Sequence, residues 1–128
     1  MNTVPLRLGV PDRCWPLHCV AATRALESQS AATLPPHTLM ARAGWAVARC
    51  ALAIAPHARH IWVAAGPGNN GGDGLEAAVH LRAAGKQVTV TLLGDLQKLP
   101  DDALVAWHKA QAAGVVFGPM PTEADLVI

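Results

Sequence analysis

A chain of 128 residues that is 52% hydrophobic and 15% charged has the composition of one core-rich globular domain, which excludes a disordered or fibrous protein. Ten Lys and Arg stand against nine Asp and Glu, a net charge of +1, so no positive excess is left to neutralise a phosphate backbone and a nucleic-acid partner is not expected. The most apolar stretch, Thr38 to Ala55, is broken by Arg42 and Arg49 and does not suit a membrane span.

Residues 1–16 hold Pro5, Pro11 and Pro16 without periodicity and read as an irregular N-terminal arm; residues 17–128 read as the domain. No basic-then-apolar leader pattern opens the chain. Three cysteines, Cys14, Cys19 and Cys50, are an odd number and point to a reducing, cytoplasmic setting. Cys14, His18 and Cys19 form a C-x3-H-C cluster. Adjacent ligands rarely converge on one ion, and no second pair stands at finger spacing, so ordinary thiols are expected there. Cys19 to Ala32 has helix-forming composition. Pro35-Pro36 breaks it and is expected to open the first turn of a second helix, which Pro56 ends. On that helix Leu39, Ala43, Val47, Cys50 and Ile54 recur at three- and four-residue steps and predict the buried face. Small residues such as Ala41, Gly44 and Ala48 allow another element to come close.

His60 to Ala65 is a short apolar run and predicts a strand buried on both faces. The segment Gly66 to Gly74, G-P-G-N-N-G-G-D-G, follows at once. Asp73 to Ala84 reads as a helix stopped by Gly85, Gln87 to Leu93 as a strand, and Gly94-Asp95 as a turn. Pro100 and Asp101 open a further helix that Gly114 closes. Val115 to Phe117 reads as a third strand, and Asp125 to Ile128 as the beginning of a fourth. The alternation predicts an α/β fold, a three-layer α/β/α Rossmann-like parallel sheet with right-handed crossovers. It is expected to be incomplete at the C-terminus, as in part of a larger domain. His80 and His108 are expected on helix surfaces, and Trp45, Trp62 and Trp107 as core or interface anchors; Trp15 lies in the arm.

Five of the nine residues from Gly66 to Gly74 are glycine. One reading is a turn that needs positive φ, with Asp73 as N-cap and Glu76 completing a D-x-x-E box. A second takes Gly66, Gly68 and Gly71 as G-x-G-x-x-G, with Asp95 after the next strand as a ribose ligand; this predicts an NAD(P)-dependent oxidoreductase. A third is a loop that brings bare amides to an anionic ligand at a helix N-terminus.

The whole string A-G-P-G-N-N-G-G-D-G, with V-A-A before it and L-E-A-A-V-H-L after it, resembles the NAD(P)H-hydrate epimerase family, the YjeF N-terminal domain. Leu39-Met40 with Arg42-Ala43-Gly44 resembles the family's L-M-x-R-A-G segment, with Ala41 where Glu is usual. Arg24 to Glu27 resembles the start of its first helix. Gly94-Asp95, Lys98-Leu99 and Asp101-Asp102-Ala103 resemble its link after the second strand, so the resemblance runs from Val20 to Ile128. It implies an isomerase of metabolite repair that interconverts the R and S hydrates of NADH and NADPH. A separate or fused ADP- or ATP-dependent dehydratase would then restore the S form. It implies that Asn69, Asn70, Gly71, Gly72 and Asp73 line the substrate site and that Asn70 ligates a potassium ion. It places the catalytic aspartate after Ile128, so little activity is expected of this stretch alone. Some domains resembling the family are non-catalytic nucleotide-binding or dimerisation modules. A homodimer would then pair through the helix around Leu39 to Ile54.

Overall fold

The computed structural model describes residues 16–128; Cys14, Trp15 and nearly all of the expected arm lie outside them. Helix α1 (Val20–Ala31) follows the expected bounds, belongs to a first unit that ends at Thr33, and buries none of its residues. The second unit, Leu34–Ile128, holds α2 (Thr38–Ile54), β1 (His60–Ala65), α3 (Asn69–Ala83), β2 (Gln87–Leu92), a 3-10 turn (Leu96–Lys98), α4 (Asp101–Ala112), β3 (Val116–Phe117) and β4 (Leu126–Val127).

The four strands are parallel in the order β3-β2-β1-β4. His60 pairs with Gln87 and Ala65 with Leu92, while Ile61 pairs with Leu126 and Thr89 with Val116. Helices α3 and α4 carry the chain outward from β1 to β2 to β3. The chain then crosses to the other side of β1, so strand order reverses between β1 and β4. Gly85 (φ 81°) and Gly114 (φ 72°) stop α3 and α4 as their positions predict. Each supplies the left-handed residue of a Schellman cap: Lys86 N–H donates to Leu81 O and Val115 N–H to Ala110 O, at 3.1 and 3.0 Å.

Helix α3 is the centre of the helical layer and touches α2, α4, β1 and β2. Its buried residues include Gly71, Gly72, Leu75, Glu76, Ala78 and Leu81. They lie around most of its circumference, so its apolar periodicity is weak in sequence. Leu75, Leu81, Val63 and Val90 are the largest fully buried side chains.

Three expectations are corrected. The buried face of α2 is Met40, Gly44, Ala48 and Ala51, not the stripe ending in Cys50 and Ile54, and Ile54 is 70% exposed. Backbone of α3 comes so close to α2 that the smallest residues must face it, which turns larger ones to the rim. Strand β1 is not buried on both faces: Ile61, Val63 and Ala65 are buried, while Trp62 and Ala64 are half-buried. Within Leu34–Ile128 the helices cover the Val63 face alone, and on the other Trp62 Nε1 donates to Thr91 Oγ1 at 2.9 Å. Third, Pro35 and Pro36 form a turn before α2 instead of its first turn. His37 occupies the N-cap in left-handed backbone (φ 64°), and Thr38 Oγ1 donates to Pro35 O. The His37 Nδ1 lies 2.5 Å from Asp102 Oδ1 of α4, an ion-pair approach outside hydrogen-bond angles.

Trp107 packs against the core with its ring tilted on Phe117 at 4.0 Å between centroids, and the half-exposed Trp45 carries the Arg49 guanidinium over its ring.

Candidate functional site

Helix α3 starts at Asn69, four residues before the Asp73 start predicted from sequence. Gly68 is its N-cap in extended backbone, and no side chain caps it. The first amide to turn back into the helix is Gly72, which donates to Gly68 O at 3.2 Å. The N–H groups of Asn69, Asn70 and Gly71 therefore belong to the unpaired helix end and carry its positive potential. Asp73 is not the cap, which removes the D-x-x-E box. Glu76 does not reach back either: its Oε1 accepts from Lys109 Nζ of α4 at 2.6 Å.

Gly71, Gly72 and Gly74 are there for close approach. Among the described glycines only Gly85 and Gly114 have positive φ, so the turn reading of the Gly66–Gly74 string is corrected. A Cβ on Gly71 would stand 2.0 Å from Gly66 O, and one on Gly72 would stand 2.5 Å from the Met40 Cε. These contacts press the first turn of α3 onto the end of β1 on one side and onto α2 on the other.

A cavity of about 120 Å³ opens beside this turn, walled by Ala65 of β1, Ile128 beyond β4, Val47 of α2, and Asn70, Gly71 and Asp73 of α3. It lies where the strand order reverses, at the carboxyl ends of the strands, the position at which open α/β sheets receive their ligands. Ile128 is fixed there by main-chain bonds, donating to Trp62 O at 2.9 Å and accepting from Ala64 N–H at 2.8 Å. Of the predicted site residues, Asn70, Gly71 and Asp73 come together on this cavity. Asn69 is exposed and Gly72 is buried away from it. Asp95 ends up after β2 as predicted, but it caps the 3-10 turn by accepting from Gln97 N–H at 2.9 Å. His18 and Cys19 are exposed, and no group of three His, Cys, Asp or Glu suited to a metal exists among the described residues.

A larger cavity of about 330 Å³ lies at the amino ends of the strands, beside His60, Gln87 and Glu123. It lacks the uncapped helix end and the topological switch, so the smaller cavity is the better candidate for chemistry. At that amino end Asp125 accepts from Arg59 and His60 N–H, each at 2.8 Å, tying β4 to β1. The His60 amide first, then that of Arg59, holds its carboxyl below the ordinary 3.8.

Sequence reasoning missed the Glu76–Lys109 pair. The signal was a single acidic residue inside the apolar run Leu75 to Leu81. Val47 and Ile128 as cavity walls carried no signal of their own.

The family model described as the YjeF-related protein N-terminus matches residues 36–128. The chain belongs to the YjeF-related N-terminal family. Within it, the chain is 48% identical over 99 residues to the NAD(P)H-hydrate epimerase of Achromobacter xylosoxidans, covering 77% of this chain and 47% of that protein. It is 47% identical over 91 residues to that of Bordetella pertussis, covering 70% and 40%. A bifunctional NAD(P)H-hydrate repair enzyme of Leishmania braziliensis is 39% identical over 98 residues, covering 70% and 18%. A yeast protein of known crystal structure aligns with a TM-score of 0.65 at 26% identity, over 76% of this chain and 44% of that one. The chain spans about half the length of the curated epimerases it matches. The matched region takes in α2, the glycine turn and the Gly94-Asp95 link.

Proposed function

We propose that this chain forms the nucleotide-binding part of an NAD(P)H-hydrate epimerase, interconverting the R and S hydrates of NADH and NADPH. One observation carries the reading: Asn70 and Asp73 share a cavity wall at an uncapped helix N-terminus, at the strand-order reversal of a chain 48% identical to a curated epimerase. A cavity of about 120 Å³ is too small for a whole dinucleotide and takes one group of it. The free amides of Asn69, Asn70 and Gly71 suit a pyrophosphate oxygen. The exposed lip at Pro67 and Asn69 leaves room for the remainder.

A potassium ion fits the donor set. The Asn70 carboxamide and the Asp73 carboxylate are hard oxygen ligands on one wall, and no softer donor lines that cavity. Bound there, the ion would offset phosphate charge beside the helix end. The residues of this chain bind and orient: α3 amides hold phosphate, and Asp73 accepts from a ribose or amide group. The reaction itself is acid-assisted loss of the C6 hydroxyl, leaving a planar iminium to which water returns on either face. The family resemblance puts the carboxylate for that proton transfer after Ile128, and we assign it to no residue of this stretch.

The product S hydrate calls for an ADP- or ATP-dependent dehydratase, separate or fused; the bifunctional name of the Leishmania relative supports a fused form. A cytoplasmic setting is supported by free Cys19 and Cys50. Among the described residues no helix is long and apolar enough to cross a membrane. Pairing with a second copy through α2 is supported by its exposed Trp45.

The test is direct. The protein, at the full length its gene encodes, receives an R/S hydrate mixture, a dehydratase removes S, and R is followed by chromatography. Accelerated loss of R is expected, and loss at the spontaneous rate refutes the reading. Saturable nucleotide binding without turnover would leave a binding module instead.

A further inference from the structure

Glu76 is 3% exposed, the single buried charged residue among the described residues, and it belongs to the helix that carries Asn70 and Asp73. Its partner Lys109 is half-exposed on α4, and the Nζ–Oε1 distance is 2.6 Å. On the opposite side its Cβ rests against Gly44 of α2, where a Cβ would come within 2.3 Å of it. One side chain thus meets both flanking helices.

The neighbouring surface explains what such a contact does. In its first turns α3 buries Gly71, Gly72, Gly74, Ala77 and Ala78 beside one large side chain, Leu75. Residues as small as these glycines and alanines make shallow ridges, so away from Leu75 packing resists rotation or sliding of the helix weakly. Six residues separate Asn70 from Glu76, which places them roughly 120° apart around the axis. A directional, charge-assisted bond at Glu76 therefore sets where Asn70 and Asp73 point.

We infer that Glu76 and Lys109 are positioning residues: their ion pair fixes the rotation of α3 and so holds Asn70 and Asp73 on the cavity wall. The inference rests on the reading of that cavity as the ligand site. A buried pair of this kind adds specificity more than stability, since an apolar pair of similar volume can replace it without loss of folding.

The experiment uses that difference. The variant E76L/K109M is compared with the parent by melting temperature, by amide resonances of Asn69 to Gly74 in the ligand-free protein, and by affinity for NADPH hydrate. The melting temperature is expected within a few degrees of the parent or above it. The resonances are expected to shift or broaden, and affinity to fall by about tenfold or more, as misplacement of about 1 Å produces. Resonances and affinity that stay with the parent, at matched melting temperature, overturn the inference. Should the parent itself ignore NADPH hydrate, the epimerase reading falls, and the ligand-free resonances alone decide the positioning role. Should E76L/K109M not fold, K109M, altered only at a half-exposed residue, is read by the same resonances and with the same two outcomes.

Discussion

Gly71 is where packing and chemistry meet most sharply, and Gly71→Ala separates them from ordinary helix energetics. A methyl group there would sit 2.0 Å from Gly66 O, 2.9 Å from Gly66 C and 3.0 Å from Gly66 N. Against the Gly66 carbonyl oxygen that is short of van der Waals contact by roughly 1.5 Å. The turn must lift off the end of β1 by about that distance. Overpacking of this kind costs about 1–3 kcal/mol, and the better helix propensity of alanine returns at most ~1 kcal/mol. The net expectation is a loss of about 1–2 kcal/mol, or roughly 5–10 °C in Tm for a unit of this size. Since Gly71 also lines the cavity, the same displacement moves Asn70 and Asp73, and affinity for NADPH hydrate is expected to drop about tenfold to a hundredfold. The control is Gly66→Ala, whose added Cβ meets nothing within 4 Å; it is expected within about 0.5 kcal/mol of the parent. Differential scanning calorimetry and titration of both variants make the comparison. If G71A melts and binds as G66A does, the glycine turn is not held by backbone contact and the reasoning fails.

The Asn70→Ala variant is expected to lose selective stabilisation by potassium. Potassium chloride should raise the parent's melting temperature above that in sodium chloride of equal ionic strength, by about 1.4 kcal/mol of stability at ten times Kd, and leave N70A unmoved. Leu75→Ala, at a fully buried position, is expected to cost about 3–5 kcal/mol, seen as a lower urea midpoint at unchanged slope. The folded carboxyl of Asp125 titrates below its ordinary 3.8 because two backbone amides hold its charged form. Its stabilising effect is therefore complete above the unfolded value and disappears as pH falls through the folded one. Asp125→Asn should melt below the parent at pH 7 and converge with it under acid; a gap that persists or widens at low pH would contradict the assignment.

Much of the architecture was legible because it depends on local chemistry. The β-branched run Gln87 to Leu92, the stops at Gly85 and Gly114 and the proline after α2 act through a few neighbouring residues, and the strand and helix ends they set formed within a residue or two of their expected positions. The start of α3 was not legible. Gly71, Gly72 and Gly74 are poor helix formers, and their helical state comes from contacts with Gly66, Met40 and Val63 that are distant in sequence or across a turn. The burial of α2 misled for a related reason. Hydrophobicity favours Ile54 and Cys50 as its inner face, yet beside the short approach of α3 lie Gly44, Ala48 and Ala51, with Met40 packed on Gly72.

The string from Gly66 to Gly74 was enough, through its resemblance, to identify a family. Side-chain type and spacing carry that information, whatever the backbone does. Which of those residues share a cavity was decided by tertiary structure alone. Asn70 and Asp73 meet Ile128 because β4 pairs beside β1, a contact between strands some sixty residues apart. Glu76 became a core ion instead of a helix cap because Lys109 reaches it from a separate helix. Both outcomes depend on long-range packing, which no local window of the chain contains.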